Sequence, residues 1–215
     1  PDVAVENLLN LYRASISLAY TPRSWRESKV VFIPKPGKSE YADPRAFRPI
    51  SLTSVAFKAL ERLILFWQEE TTFKDKPLHK SQFAFRKNSG TENALTRALN
   101  EIEKGFYRNQ FVLAVFADIK GAFDHILASA IIKAMRDYGI PEIICTWYNQ
   151  YLQNRIAELH VNGDSLLAFI TRGGPQGNCS SPIFAWNIPF NVLLTCLAHA
   201  LRIAIGYADD ELGIA

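Results

Sequence analysis

The sequence predicts an α/β (α+β) fold in which an antiparallel sheet is backed by helices. Apolar residues recur at helical spacing in several stretches, and two apolar runs, 111–119 and 203–207, have the composition of strands. A further pair of runs, 156–161 and 166–170, flanks Asn162-Gly163, which is a strong signal for a tight hairpin turn. Hairpins join neighbouring antiparallel strands, so these observations favour antiparallel pairing.

Helices and short strands alternate in the first half of the chain. The spacing of apolar residues predicts an amphipathic helix up to about Leu18, and β-branched and aromatic content predicts strands over 29–34 and 47–52. A helix is expected over 53–68, and a capping-box pattern at 89–92 is expected to open another. The residues expected to face inward on these two helices are Val55, Leu60, Leu63, Ile64 and Trp67, then Leu95, Ala98, Leu99, Ile102 and Phe106.

The second half begins with the run 111–119, which is expected to form a strand buried on both faces and to end in the lone charge of Asp118. One helix is expected from Gly121 to about Tyr138 and another over 142–151. After the hairpin, a glycine-rich loop at 172–177 precedes a long apolar helix over 181–200. The strand 203–207 and its turn lead into a return strand that is expected to be only begun by residue 215.

Length and composition favour a soluble globular enzyme domain. The chain has 215 residues, of which 48% are hydrophobic, enough for one substantial core or two small ones. No run of 18 or more uncharged apolar residues and no secretory signal is visible, so no membrane association is expected. Cys145, Cys179 and Cys196 are odd in number and widely spaced, which favours buried thiols over disulfides or a zinc site. The expected location is intracellular, in the nucleus, the cytoplasm or both.

Charge is modest overall and concentrated near the N-terminus. The net charge is only +3, whereas residues 23–48 contain seven Lys or Arg and three Asp or Glu. A basic segment of this kind suits phosphate groups, although a solvated surface would have the same composition.

Three acids stand where apolar strands end. Asp118 closes one run, and Asp209 and Asp210 form the turn after another. Carboxylates without nearby His or Cys select hard ions such as Mg²⁺ or Mn²⁺. If the two strands are neighbours, these acids can converge on a pair of ions, with the backbone carbonyl of Ile119 as a further ligand, and support phosphoryl transfer. An Asp-Asp turn alone is more often a polar turn, so the interpretation depends on its surroundings.

Four segments in order resemble the reverse transcriptases of non-LTR (LINE-type) retrotransposons. They are IPKPGK at 33–38 with FRPISL at 47–52, FADIKGAFD at 116–124, GPQG at 174–177 with Ser181-Pro182, and YADD at 207–210. The resemblance extends from about residue 25 to the end. It implies the fingers and palm of a right-hand polymerase, with residues 1–110 mainly fingers, residues 111–215 mainly palm, and the thumb absent.

The resemblance assigns metal binding to the acids. It implies that Asp118 and Asp209 are the principal catalytic ligands of two Mg²⁺ ions and that Asp210 is the third acid. It also implies an RNA template, a DNA primer and deoxynucleoside triphosphates as partners, within a longer polyprotein that carries endonuclease and thumb regions. The oligomeric state is left open.

Nucleotide contacts are implied for four further residues. Lys35 and Arg48 match the positions that grip the triphosphate, Phe123 matches the aromatic ring that excludes a 2′-hydroxyl, and Gln176 matches an amide that contacts nucleotide or template. Weaker candidates for contact with nucleic-acid phosphates are Lys29, Lys38, Arg45 and Arg86.

Two departures and two alternatives accompany this interpretation. Polar residues at 178–180 and Glu211 stand where the family usually has apolar residues, and both are expected to weaken the palm. One alternative is a decayed or repurposed module that binds RNA without catalysis. The other is a reverse transcriptase of the group II intron or telomerase type.

Overall fold

The computed structural model describes residues 2–161, 163–201 and 203–214, in which helices pack against two separate sheets. The helices are α1 (Asp2–Ser17), α2 (Arg23–Arg26), α3 (Val55–Glu70), α4 (Thr72–Asp75), α5 (Thr91–Tyr107), α6 (Ala122–His125), α7 (Ala128–Tyr138), α8 (Glu142–Leu152) and α9 (Ile188–Ala200). The strands are β1 (Glu27–Pro34), β2 (Phe47–Leu52), β3 (Ala114–Asp118), β4 (Arg155–Val161), β5 (Asp164–Ile170), β6 (Ile203–Tyr207) and β7 (Asp210–Ile214). A 3₁₀ turn (Pro44–Ala46) precedes β2, and a π-helical stretch (Pro182–Asn187) runs into α9.

A four-stranded sheet with the order β2-β1-β4-β5 contains the strands predicted at 29–34 and 47–52 and the hairpin predicted at 156–170. β1 pairs antiparallel with β2, so that Ile33 faces Arg48, and pairs parallel with β4. β4 and β5 form the hairpin predicted from Asn162-Gly163, of which Asn162 lies outside the described residues. Since β4 and β5 come from the second half of the chain, the two halves interleave in space, and the division at residue 110 stays a prediction.

A three-stranded sheet with the order β3-β7-β6 contains the predicted acid-bearing turn. Both pairings are antiparallel, and β7 lies between the other two strands. All of Asp210–Ile214 pairs with β6 on one side and with β3 on the other, and the expectation that the return strand is only begun by residue 215 stays a prediction. The turn before β7 is therefore held by a fully paired central strand.

β3 differs from its prediction in length and burial. It begins at Ala114, and it lies at the edge of its sheet, not in the middle. The prediction of burial on both faces was wrong, since Val115 and Phe116 are 53% and 79% exposed. An unbroken apolar run is expected for a strand covered on both faces, but an edge strand can carry the same run with a face open to solvent.

The largest core cluster lies between α3, α7, α8 and the start of the long C-terminal helix. Phe57 packs against Tyr151 with ring centroids 4.5 Å apart and against Trp147 at 5.8 Å. All three side chains are fully buried, and each such burial contributes about 2–3 kcal/mol to folding. This cluster forms the rigid base from which the loops of the candidate site extend.

The faces of two helices were only partly predicted. On α3, Leu60 and Ile64 are buried as expected, but Val55, Leu63 and Trp67 are exposed, and Phe57 is buried instead. On α5, Ala98 is buried whereas Leu95, Leu99 and Phe106 are exposed. The small residues of α5 face β6 and β7, because a close helix–sheet approach leaves no room for larger side chains there.

Two helix termini also differ from the predictions. The segment expected to form one helix from Gly121 to Tyr138 forms α6 and α7, because Ile126 and the residue after it adopt extended backbone angles. The cap of α5 uses Gly90 and Asn93, since the Asn93 side chain accepts a hydrogen bond from the Gly90 N–H at 2.9 Å.

The long C-terminal helix, residues 182–200, is confirmed as a continuous helical segment that begins with the π-helical stretch. By length and composition alone it is apolar enough to cross a membrane, which is weak evidence because core helices pass the same test. Phe184, Ile188 and Leu194 are buried, and the helix contacts α7 and β6. These contacts are those of a helix that packs inside a folded domain.

Candidate active site

The predicted acids meet at one end of the three-stranded sheet. Asp118 on β3 lies directly opposite Asp210 on β7, and the Ile119 N–H donates a hydrogen bond to the Asp209 carbonyl at 3.4 Å. Residues opposite one another in an antiparallel pair have Cβ atoms about 4.5–5.5 Å apart. Asp118 and Asp210 are exposed and Asp209 is half-buried. All three acids are therefore at least partly accessible to solvent.

The turn that carries Asp209 is fixed by backbone geometry and by one tryptophan. Tyr207 pairs with Asp210, which leaves a two-residue turn, and Ala208 adopts a φ of +53°. The indole N–H of Trp186 donates to the Ala208 carbonyl at 2.8 Å. This hydrogen bond ties the acid-bearing turn to the helical segment that follows the glycine-rich loop.

The chemistry of these donors fits the predicted divalent ions, but the side chains are not arranged around a shared point. Within the three described ranges, no group of three or more His, Cys, Asp or Glu is placed to hold a metal ion. The carbonyl of Ile119 accepts a hydrogen bond from the Ala122 N–H at 3.2 Å, and a carbonyl oxygen retains a second lone pair. The backbone register brings the acids together, and their carboxylate oxygens are the kind of ligand that hard cations prefer.

The glycine-rich loop is anchored to α6 through its backbone. The N–H groups of Gly173 and Gly174 donate to the carbonyls of Ile126 and Phe123 at 2.7 and 2.8 Å. Gly173 has a φ of +78°, and a Cβ atom there would lie 2.7 Å from the Phe123 oxygen. Only glycine suits this position, because it tolerates both the left-handed conformation and the close backbone approach.

Gln176 connects this loop to β2 and to α6. Its carbonyl accepts a hydrogen bond from the N–H of Ser51 in β2 at 2.7 Å. Its side-chain Nε2 donates to Asp124 Oδ1 at 3.2 Å. The Asp124 side chain reaches the loop from α6, which is a single helical turn. Asp124 and Gln176 line a cavity of about 390 Å³ between the loop and the four-stranded sheet.

Phe123 and Gln176 also share a second cavity. This cavity has a volume of about 180 Å³, and Phe85 and Pro182 lie on its walls. The half-buried ring of Phe123 packs edge-on against Phe85 at 5.9 Å and tilts against Trp186 at 5.1 Å. The structure thus brings together the residue predicted to lie against the sugar and the residue predicted to contact the nucleotide or the template.

The predicted phosphate-binding residues differ in exposure and in their hydrogen-bond partners within the chain. Lys35 is half-buried just after β1 and Arg48 is exposed on β2, so both cations project from the same hairpin. Lys29 and Lys38 are exposed on this hairpin as well. No structural observation assigns a bound phosphate to them, so their roles stay predictions.

The other two weak candidates have partners within the chain. Arg45 forms an ion pair with Asp43 at 2.9 Å, and the Arg45 guanidinium lowers the pKa of that carboxyl. Arg86 donates to the carbonyls of His79 and Gln82, both at 3.0 Å. Arg86 therefore stabilises its own loop, and a phosphate contact by either arginine would compete with these hydrogen bonds.

A buried carboxylate that the sequence analysis missed lies beneath the site. Glu61 on α3 is fully buried and accepts hydrogen bonds from the Cys179 N–H at 3.2 Å and from the side chains of Asn178 and Ser180. Burial raises the pKa of Glu61, and the hydrogen bonds from Ser180, Cys179 and Asn178 oppose that rise. The polar residues at 178–180, which the sequence presented as a weakness, are thus the partners of this acid.

The second departure, Glu211, has no comparable compensation. It lies half-buried on β7, and its Oε1 is buried without a hydrogen-bond partner among the described residues. Burial raises the pKa of this carboxyl. The expectation that it weakens the sheet is consistent with the cost of burying an unpaired carboxylate.

The three-stranded sheet presents acids on a hairpin, and the four-stranded sheet presents cations, an arrangement that is suited to metal-assisted phosphoryl transfer. The family is given by comparison with known proteins. The family model described as reverse transcriptase (RNA-dependent DNA polymerase) matches residues 33–214, and the chain belongs to this family.

The relatives come from non-LTR retrotransposons of insects. The chain is 31% identical over 207 residues to the putative 115 kDa protein in the type-1 retrotransposable element R1DM of Drosophila melanogaster, covering 96% of this chain and 19% of that protein. It is 29% identical over 217 residues to the RNA-directed DNA polymerase from the mobile element jockey of the same species, covering 98% of this chain and 23% of that protein. The chain therefore spans about a fifth of the length of these relatives.

Solved structures support the fold independently. Apo telomerase from Candida tropicalis, truncated from its C-terminal domain, superposes with a TM-score of 0.64 at 14% identity, covering 91% of this chain and 44% of that one. A second structure, of apo telomerase from the same species, gives a TM-score of 0.63 at 15% identity and covers 91% of this chain and 39% of that one. At such identities the likeness establishes the fold, which is that of the fingers and palm expected from sequence.

Proposed function

We propose that this chain carries the nucleotidyl-transfer site of an RNA-directed DNA polymerase that copies RNA into DNA for a non-LTR retrotransposon. The observation that carries the proposal is the register of the three-stranded sheet, which places Asp118 opposite Asp210 with Asp209 in the adjoining turn. Membership of the reverse transcriptase family and the names of the insect relatives support the direction of synthesis, from RNA to DNA.

The acidic and basic residues of the site have separate roles in the proposed reaction. Asp118, Asp209 and Asp210, with the Ile119 carbonyl, would hold two Mg²⁺ ions, or Mn²⁺ in their place, which supply charge neutralisation at the attacking and leaving oxygens. The chain's own cations, Lys35 and Arg48, bind the triphosphate and offset the charge that grows on pyrophosphate.

Selection of the nucleotide falls to the cavity beside the acids. Phe123 lies under the sugar and excludes a 2′-hydroxyl by its bulk, and Gln176 donates or accepts a hydrogen bond at the nucleotide or template. Lys29, Lys38, Arg45 and Arg86 contact the phosphates of template or primer in this proposal. The RNA template, the DNA primer and the deoxynucleoside triphosphates are then the partners of the site, which works inside the cell, in the nucleus or cytoplasm.

The direct test is primer extension on an RNA template with the longest polypeptide that encodes this chain. Asp118→Ala and Asp209→Ala should each reduce extension by about 1,000-fold or more, because the rate depends on charge neutralisation and in-line positioning. Asp75→Ala, which removes an exposed aspartate on α4, is the matched control and should extend as the wild type does.

The same experiment separates catalysis from binding alone. A module that only binds RNA would retain RNA in a filter-binding assay and show no Mg²⁺-dependent extension by the wild type. Extension by the wild type that survives Asp118→Ala would contradict the assignment of the acids while leaving the family intact.

A further inference from the structure

The loop that carries Gln176 is held at both ends by buried charged side chains. Its backbone already contacts α6 and β2 through the hydrogen bonds of residues 173, 174 and 176 described above. Such main-chain contacts fix the path of the loop at three points. Gly173 lies at the first end of the loop and Asn178 and Ser180 at the second, and all three are buried, so their polar groups need further partners.

Arg155 supplies those partners at the first end. Its side chain is buried on β4, with 6% exposure, and its Nη2 donates to the carbonyls of Arg172 and Gly173 at 2.9 and 2.6 Å. The Nε of Arg155 donates to the Leu152 carbonyl at 3.2 Å. A single planar guanidinium therefore fixes the approach to the loop in direction as well as in position.

Glu61 supplies the partners at the second end. Its Oε2 accepts from the Cys179 N–H at 3.2 Å, and its Oε1 accepts from the Ser180 N–H at 3.4 Å and from the Ser180 hydroxyl. The Asn178 side-chain amide donates to the same Oε1 at 3.2 Å. All four partners are donors, so both oxygens of Glu61 act as acceptors, the arrangement that a carboxylate satisfies and an amide does not.

Aromatic hydroxyls lie between the two charged groups. Tyr151 accepts a hydrogen bond from Asn178, and Tyr148 shares one with Ser181 at 3.4 Å. Both tyrosines are fully buried, and burial raises the pKa of each hydroxyl. The charge of Glu61 raises these pKa values further, and the charge of Arg155 lowers them. Buried charges of this kind add little to stability compared with well-packed apolar residues. Their presence is better explained by the geometry that they impose on the loop.

We infer that Glu61 and Arg155 are positioning residues that fix the two ends of loop 172–180 and so aim Gln176 at the incoming nucleotide or its template partner. The inference rests on the proposed function, since it assigns Gln176 a substrate. Neither residue lies in a recognisable motif of the sequence, and both act through the loop without touching the substrate.

The test combines steady-state kinetics with substitutions that keep size. Glu61→Gln should lower kcat/KM for the nucleotide by about tenfold or more, with KM changed more than kcat, because its new N–H group opposes the donors of Cys179 and Ser180. Glu61→Asp keeps the acceptors and should recover part of the loss. Glu70→Gln, on the exposed end of the same helix, is the matched control and should leave kcat/KM unchanged.

A double-substitution cycle tells positioning from general structural damage. If Glu61 acts through Gln176, then adding Glu61→Gln to Gln176→Ala should lower kcat/KM by less than twofold further, whereas independent effects would multiply. Arg155→Lys, which keeps the charge and loses the planar fork, should behave in the same way against Gln176→Ala. Multiplying effects would overturn the inference.

Amide hydrogen exchange provides a readout that needs no activity. Glu61→Gln should raise exchange at the amides of Cys179 and Ser180 by about tenfold or more, while the amides of the α8 core remain protected. Unchanged exchange at these two amides would overturn the inference. Failure of the wild type to extend a primer would instead overturn the proposed function. The exchange result would still decide whether Glu61 fixes the end of the loop, because that measurement does not depend on activity.

Discussion

At the scale of single residues, Phe123 allows a sharp test of sugar selection. Its ring lines the 180 Å³ cavity with Gln176 and is braced by Phe85 and Trp186, so it cannot move aside easily. Phe123→Val should raise incorporation of ribonucleotides relative to deoxynucleotides by about tenfold or more, because the smaller side chain opens space for a 2′-hydroxyl.

The measurement is the ratio of kcat/KM for the two kinds of triphosphate in primer extension. Phe66→Val, at an exposed position on α3, removes a ring of the same size and should leave the ratio as in the wild type. An unaltered ratio in Phe123→Val would mean that the ring serves packing alone.

Two glycines with similar φ values allow the cost of backbone strain to be measured separately from the cost of a steric clash. Gly173 and Gly37 have φ values of +78° and +76°, but only the Cβ of an alanine at Gly173 would meet atoms within 4 Å. Gly37→Ala should cost about 1 kcal/mol of unfolding free energy, from the left-handed conformation alone. Gly173→Ala should cost about 2 kcal/mol more, since its Cβ meets main-chain oxygens that cannot rotate away. Urea unfolding of the two variants measures the difference, and equal losses would show that the loop can shift.

At the scale of elements, the hydrogen bond from Trp186 links the acid-bearing turn to the long C-terminal helix. Trp186→Phe keeps an aromatic ring beside Phe123 and Phe190 but removes the donor to Ala208. We expect a loss of about 1 kcal/mol in unfolding free energy and a several-fold fall in kcat, as the turn loses its anchor. Trp67→Phe on the exposed side of α3 is the control. A kcat of Trp186→Phe equal to that of the wild type would show that β6 and β7 position the turn without the hydrogen bond from Trp186.

The elements that sequence predicted well are those whose signals are local. β1 and β2 follow from their β-branched and aromatic residues, with Pro34 ending β1, and the β4–β5 hairpin follows from alternation around a turn dipeptide. β3 was placed correctly along the chain but not in the sheet, because an apolar run does not reveal whether a strand lies at the edge. The break between α6 and α7 coincides with a tertiary contact, in which the Gly173 N–H donates a hydrogen bond to the Ile126 carbonyl, and no local pattern encodes such a contact.

The candidate site shows the same division. Asp118 and Asp209 could be proposed because charges at the ends of apolar strands are unusual, and the family resemblance supplied Phe123 and Gln176. Glu61 could not be proposed from the sequence, because an acidic residue within a helical pattern normally lies on the solvent-exposed side. One signal was present in the sequence: Glu61 follows Leu60 on the apolar side of α3, where a charge requires partners.

At the scale of the whole molecule, the order of the strands explains how distant segments form one site. β4 and β5 return to the sheet of β1 and β2, and this return places the glycine-rich loop after β5 against β2. The long helix then carries the chain back to the acid-bearing turn. Loops close to form a site only after both sheets have assembled, so we expect the site to gain order together with the main core and not before it.

The three thiols test whether the main core is closed in the native state. Cys145 is fully buried on α8, where burial raises its pKa to about 11, and Cys196 is exposed on α9. The sequence-based expectation that all three would be buried was therefore wrong for Cys196. Because alkylation requires an accessible thiolate, iodoacetamide should modify Cys196 readily and Cys145 only after global unfolding, with half-buried Cys179 between them.

Peptide mapping by mass spectrometry at increasing urea concentrations gives the measurement. Modification of Cys145 should follow the unfolding transition seen by far-UV circular dichroism, and Cys196→Ser should leave that transition in place. Early modification of Cys145, at urea concentrations where the helices remain folded, would mean that α8 separates from α3 and α7 before the rest of the molecule. In that case the cluster around Phe57 and Trp147 would not be the rigid base of the site, and the positions of Glu61 and Arg155 would be as mobile as the loop that they contact.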